Sequence, residues 1–252
     1  MKFVTVSGPP SSGKTAVILK TLAHLQTAGR KLGVVKFDCL STLDDDIYQA
    51  AGIPVRKGLS GALCPDHYFV SNVEECVQWG LDEGLDVLVS ESAGLCNRCS
   101  PYIRDVLAVC VIDNLSGIDT PRKIGPMLKS ADIVIITKGD IVSQAEREVF
   151  AARVHRVNPR ARIMHVNGIT GQGSYEFSTL WEDGAEVATV EGKRLRFSMP
   201  AALCSYCLGE TRIGSQYQMG NVRKIDLEAQ ADRQQGAPMT GPEMTGPEGE
   251  SR

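Results

Sequence analysis

No apolar run in this 252-residue sequence approaches the roughly 18 residues that a membrane-spanning helix needs, so no membrane association is expected. An excess of one charge is missing too, since 27 Lys and Arg stand against 30 Asp and Glu for a formal net charge of −3. Without a general basic field, nucleic-acid binding has no compositional support. A leader pattern is also lacking: Met1-Lys2-Phe3-Val4 reads as the start of a strand, not a signal peptide. A cytoplasmic location is therefore expected. In that reducing setting the eight cysteines read as thiols and as metal or cluster ligands, not as disulfides.

What is present is a globular composition, 42% hydrophobic and 23% charged, which excludes a wholly disordered chain. Short Val- and Ile-rich runs fall at 3–7, 33–37, 85–90, 106–112, 133–137 and 162–166. Runs of that length without polar alternation suit strands buried on both faces of a parallel sheet. Helical periods lie between them at 13–28, 71–81 and 143–157. Ser71-x-x-Glu74 and Ser143-x-x-Glu146 open two of these as capping boxes. The pattern predicts an α/β fold with a doubly wound, mostly parallel sheet, whose ligands bind at the carboxyl ends of the strands.

The organisation read from the sequence is a core over 1–185, a small Cys-containing appendage over 186–227 and a disordered tail over 228–252. The appendage is expected to begin with a β-hairpin around Glu191-Gly192-Lys193. The tail repeats Met-Thr-Gly-Pro-Glu directly at 239 and 244, and such polar sequence buries too little apolar surface to offset ordering.

The strongest chemical signal is Gly8-Pro9-Pro10-Ser11-Ser12-Gly13-Lys14-Thr15, a G-x-x-x-x-G-K-[ST] loop between a strand and a helix. Small residues let backbone N–H groups wrap a phosphate at the helix N-terminus, so Gly8, Ser11, Ser12 and Gly13 are candidate nucleotide contacts. Lys14 is expected to reach the β- and γ-phosphates, and the Thr15 hydroxyl to ligate Mg²⁺. The loop has no second lysine near its start, which argues against P-loop ATPases that use an extra lysine across a dimer. Thr137-Lys138-Gly139-Asp140 follows a buried strand and is similar to the N-K-x-D motif of GTPases, with Thr first as in the Rho GTPases. A carboxylate at Asp140 can accept both guanine N1–H and the exocyclic amine, a donor pair adenine lacks. Lys138 would lay its stem along the base.

The stretch from Val111 through Asp140, Glu91-Ser92-Ala93-Gly94 and the Asn167-Gly168-Ile169-Thr170-Gly171-Gln172-Gly173 loop resemble the UreG/HypB group of P-loop GTPases, which insert nickel. The resemblance covers about residues 1–180. It implies a GTP- and Mg²⁺-dependent GTPase that dimerises around nucleotide and delivers metal to a client metalloenzyme or accessory protein. It also implies that Asp38 and Glu91 stand near Mg²⁺ and the attacking water, that Gly94 donates its N–H to the γ-phosphate, and that Asn167 lines the base.

The same group carries a Cys-Pro-His metal motif, and the matching segment here is Cys64-Pro65-Asp66-His67, with one residue inserted. Thiolate and imidazole suit nickel or zinc, and two subunits would supply four ligands about a dimer axis. Cys96-x-x-Cys99 directly after Gly94 and Cys204-x-x-Cys207 depart from the group. Each pair can reach one ion or an iron–sulfur cluster. Two functions thus stand side by side: a GTP-gated metallochaperone, and a nucleotide-driven iron–sulfur protein that donates electrons to, or activates, a partner metalloenzyme. Cys39, Cys76 and Cys110 read as small core residues.

Overall fold

The computed structural model describes residues 1–40, 43–94, 98–200 and 202–227. Along the chain, β1 (Lys2–Ser7) leads into α1 (Lys14–Thr27), β2 (Leu32–Asp38), α2 (Asp44–Ala50), β3 (Val55–Leu59), α3 (Pro65–Val70), α4 (Val73–Asp82) and β4 (Val87–Ser92). Then follow β5 (Ser100–Ile103), β6 (Leu107–Asp113), α5 (Thr120–Lys123), α6 (Pro126–Lys129), β7 (Ile133–Thr137), α7 (Gln144–Val157), β8 (Arg162–His165), α8 (Ser174–Glu182) and β9 (Leu195–Phe197). Seven strands form one parallel sheet in the order β3-β2-β4-β1-β6-β7-β8, and β5 pairs with β9 in a separate ribbon. No helix among the described residues is long and apolar enough to cross a membrane.

All six apolar runs are sheet strands, and five are buried as a strand with helices on both faces must be; β8, expected to be buried on both faces, is instead an edge strand with exposed and half-buried residues. β3, with its Val-Arg-Lys-Gly-Leu sequence, carries no such signal; it is an edge strand, where charge is tolerated. Strand parity sorts the core. Val4, Val6, Val34, Val87, Val89, Val109 and Val111 face α1 and α8, packing on Ile18, Leu22, Phe177 and Trp181. Phe3, Val35, Phe37 and Leu88 face the other way onto Phe69, Val73 and Val77 of α3 and α4. Beneath β6 and β7, Ile112, Val134 and Ile136 meet Met127, Phe150 and Val154 of α6 and α7.

The capping box at α7 forms as expected, with Ser143 and Glu146 each accepting from the other's backbone. The one expected at Ser71 does not. Asn72 takes the cap position of α4, the Ser71 hydroxyl donates to the His67 carbonyl at 2.9 Å, and Glu74 accepts from the Val190 N–H and the Thr189 hydroxyl. The short helix α3 already ends at Val70 and leaves Ser71 in its last turn.

The segment after α8 departs from a simple hairpin. Glu191-Gly192 is a turn, but 186–190 is not a strand: Glu186 bridges Lys2 instead, and Arg194 bridges Arg212. β9 pairs with β5 of the core. Val187, Val190, Leu195 and Ile213 are buried within the same apolar cluster as Phe3 and Phe37. Cys96 and the tail 228–252 lie outside the described residues.

Candidate functional site

The phosphate loop sits at the carboxyl end of β1. Gly13 caps α1 in the left-handed region with φ 88° and Ser11 shares that region with φ 59°, so the loop turns tightly before the helix begins. A Cβ on Gly8 would lie 2.0 Å from the Val111 carbonyl oxygen. Gly94, at φ +65°, stacks so closely on the loop that its Cβ would lie 1.9 Å from the Gly8 carbonyl oxygen. Only glycine fits either place, and the apposition puts 91–94 directly on the loop. Lys14 folds back onto the carbonyls of Gly8 at 3.0 Å and Pro9 at 2.9 Å. Burial lowers its pKa to about 8, partly offset by Glu91 and deepened by Lys36. The buried Ser12 hydroxyl has no hydrogen-bond partner among the described residues.

Next to the loop, one carboxylate gathers three donors. Glu91 is fully buried. Its Oε1 accepts from the Thr15 hydroxyl at 2.9 Å and from Lys36 Nζ at 2.7 Å, and its Oε2 accepts from the Tyr48 hydroxyl at 2.7 Å. Lys36 lies opposite Glu91 in the β2–β4 register and also pairs with Asp44 at 2.6 Å. Burial works to lower the Lys36 pKa, but the Glu91 and Asp44 carboxylates outweigh it and hold it raised. Burial, then Glu91, pushes Tyr48 well up, so it stays a donor. Asp38 ends β2, accepting from the Cys39 N–H at 2.7 Å. Oxygen donors on a hydroxyl and a buried carboxylate suit Mg²⁺, which polarises phosphate oxygens when bound.

Lys36 and Tyr48 escaped the sequence reading. The available signal was the lone lysine in Gly-Val-Val-Lys-Phe-Asp, since a charge inside a buried strand needs a partner. Cys76 and Cys110 are buried, with the Cys110 thiol pushed up to about 12 by burial. Cys39 differs from expectation: it is only half-buried, because β2 ends one residue earlier.

Residues 137–140 brace the loop from the other side. The Thr137 hydroxyl donates to the Ser12 carbonyl at 2.7 Å, and Lys138 reaches the Ser11 carbonyl at 2.7 Å and Asp113 at 3.5 Å. Asp140 and Asn167 line one open cleft of about 410 Å³ with Arg147, His165 and Gly173. Asn167 Oδ1 accepts from the N–H groups of Ile169 and Thr170, which fixes the curl of its loop.

On the opposite face of the sheet, a second site gathers sulfur. Cys64, Asp66, His67, Cys99, Cys204 and Cys207 line one small, mostly apolar cavity, and the seven described cysteines are all outside disulfides. Asp66 accepts from the Cys99 thiol at 3.3 Å and the Ser92 hydroxyl at 3.3 Å. Burial, then Cys64, pushes Asp66 up to about 7, partly relieved by those two donors. Among the described residues no three His, Cys, Asp or Glu side chains already converge to hold an ion. Glu91 and Ser92 are neighbours on β4, and successive strand residues point to opposite faces. One strand end therefore touches Thr15 of the phosphate loop with one side chain and, with the next, Asp66 of the sulfur cavity.

Over residues 2–165 the sequence matches the CobW/HypB/UreG nucleotide-binding domain. An uncharacterized protein of Methanocaldococcus jannaschii is 50% identical over 226 residues, spanning 90% of this chain and 97% of its own. A urease accessory protein UreG of Haloquadratum walsbyi is 31% identical over 192 residues, 68% of this chain and 89% of its own. The crystal structure of HypB from Helicobacter pylori in complex with nickel matches the fold with a TM-score of 0.59 at 21% identity, covering 73% and 86% of the two chains. With the loop, the buried carboxylate and the parallel sheet in the positions described, the chain belongs to the CobW/HypB/UreG family of P-loop proteins.

Proposed function

We propose that this chain is a GTPase metallochaperone that binds GTP with Mg²⁺, dimerises with nucleotide and delivers nickel to a client metalloenzyme or its accessory protein. The observation that carries the reading is the shared strand end. Glu91 binds Thr15 of the phosphate loop, and the adjacent Ser92 binds Asp66 in the sulfur cavity.

Gly8, Ser11, Ser12 and Gly13 cradle the phosphates by their backbone, and Lys14 swings from the Gly8 and Pro9 carbonyls to meet negative charge. Asp140 and Asn167 hold guanine, while Thr137 and Lys138 tie that end to the loop. Thr15, Asp38 and Glu91 are the residues that would hold Mg²⁺ or its waters and orient the attacking water. Gly94 reads the γ-phosphate because it already lies against Gly8. A shift of 91–94 on hydrolysis moves Ser92 and so Asp66, changing the grip on the metal by the differential contacts a switch needs.

The test is nickel affinity of the full chain with a non-hydrolysable GTP analogue and with GDP, alongside phosphate release from GTP and ATP. Tighter nickel binding in the analogue state and preference for GTP are expected. Equal nickel affinity in both nucleotide states would sink the gating.

A further inference from the structure

His67 of the metal motif is covered within its own chain, whereas Cys64 is half-buried. His67 is 8% exposed, covered by Tyr206 with ring centroids 6.0 Å apart and by Asn221, whose carbonyl oxygen lies 3.0 Å from Nε2. A carbonyl can only accept, so Nε2 carries the proton and Nδ1 is left with its lone pair. That Nδ1 is buried and has no hydrogen-bond partner among the described residues. Imidazoles that ligate metal are oriented in this way, with the far N–H donated to a carbonyl and the near nitrogen open.

Four thiols share the cavity with this ring, from three separate segments: Cys64 at the cap of α3, Cys99 before β5, and Cys204 with Cys207 in the covering segment. The cavity measures about 30 Å³, room for about one small ion or water. We propose that it is a mononuclear metal site completed within one chain, in which His67 and Cys64 are joined by Cys99 and the Cys204–Cys207 pair in place of a second subunit's ligands. The ion class is a divalent metal that favours thiolate and imidazole, such as nickel or zinc.

The inference rests on the metal-handling reading above and adds where the ion sits and with what stoichiometry. Ligation draws the side chains closer than they now stand, and each ligating thiol loses its proton to solvent as its sulfur bonds the ion. Cys99 would leave Asp66, and Cys207 would leave Ser198, whose hydroxyl is 3.3 Å away.

The test uses the full chain, reduced, metal-free and without nucleotide, titrated with Zn²⁺ and with Ni²⁺ while mass and thiolate-to-metal absorption are followed. One ion per chain on a monomer is expected, and the Cys204→Ser/Cys207→Ser variant should bind at least about 100-fold more weakly, beyond the cost of an outer-shell change. Half an ion per chain with metal-driven dimerisation, no uptake of either ion, or wild-type affinity in the double variant would overturn the proposal. Circular dichroism checks folding. Should the double variant not fold, Cys99→Ser and the wild-type stoichiometry decide. Equal affinity in both nucleotide states would end the gating reading and leave this stoichiometry untouched.

Discussion

At Glu91 a carboxylate with no solvent exposure keeps its charge matched by Lys36 and its second oxygen occupied by Tyr48. Removing one partner from a buried ion pair leaves the other uncompensated, at a cost of about 3–5 kcal/mol. Lys36→Met should lose about that much in a urea melt, and Tyr48→Phe about 1.5–3 kcal/mol, the worth of a hydrogen bond to a charged group. A Lys36→Met melt equal to wild type would mean the pair is solvated. Lys14 supplies a pH signature. Its folded pKa of about 8 lies below the ordinary 10.5, so the unfolded chain holds the proton more tightly between those values. Stability of the nucleotide-free chain should therefore rise as pH climbs through that window, recovering a penalty of roughly 3 kcal/mol. The rise should vanish in Lys14→Ala. Triphosphate favours the charged amine, so its binding near pH 8.5 should take up a proton, read as a buffer-dependent enthalpy.

Among the elements, α7 shows how far local chemistry reaches. Ser143 and Glu146 satisfy each other's backbone, and Ser143→Ala should cost about 1 kcal/mol, a fall in Tm of roughly 2–4 °C. The same four-residue pattern at Ser71 forms no cap, because α3 ends just before it and Glu74 is drawn to Thr189 and Val190. A local motif holds only where no distant partner competes for its groups. β4 shows strand alternation at its fullest: Val87 and Val89 belong to one core and Leu88 to the other, and the alternation continues through Glu91, bonded to Thr15, and Ser92, bonded to Asp66.

At the scale of the whole molecule, residues 186–227 close the core. Val187, Val190, Leu195 and Ile213 are each 6% exposed or less, and Arg196 of β9 bonds Asp132 and the carbonyls of Ile103, Val106 and Ser130. A chain ending at residue 185 should lose cooperative unfolding and bind a hydrophobic dye, because Phe3, Phe37 and Leu195's other neighbours would face water. A soluble truncated form with a sharp melt would show that the core closes without it.

Sequence alone determined the sheet strands other than β3, the phosphate loop and the family. Buried strands must be continuous apolar runs, and a phosphate cradle needs small residues at fixed spacing; both are constraints between near neighbours in the chain. Tertiary structure decided the rest. Lys36 meets Glu91 across 55 residues, and Cys64 shares a cavity with Cys207. His67 is met by Tyr206 and Asn221, more than 130 residues away along the chain. Such partnerships arise from packing, where side chains far apart in sequence compete for the same small volume, and no local pattern records who wins.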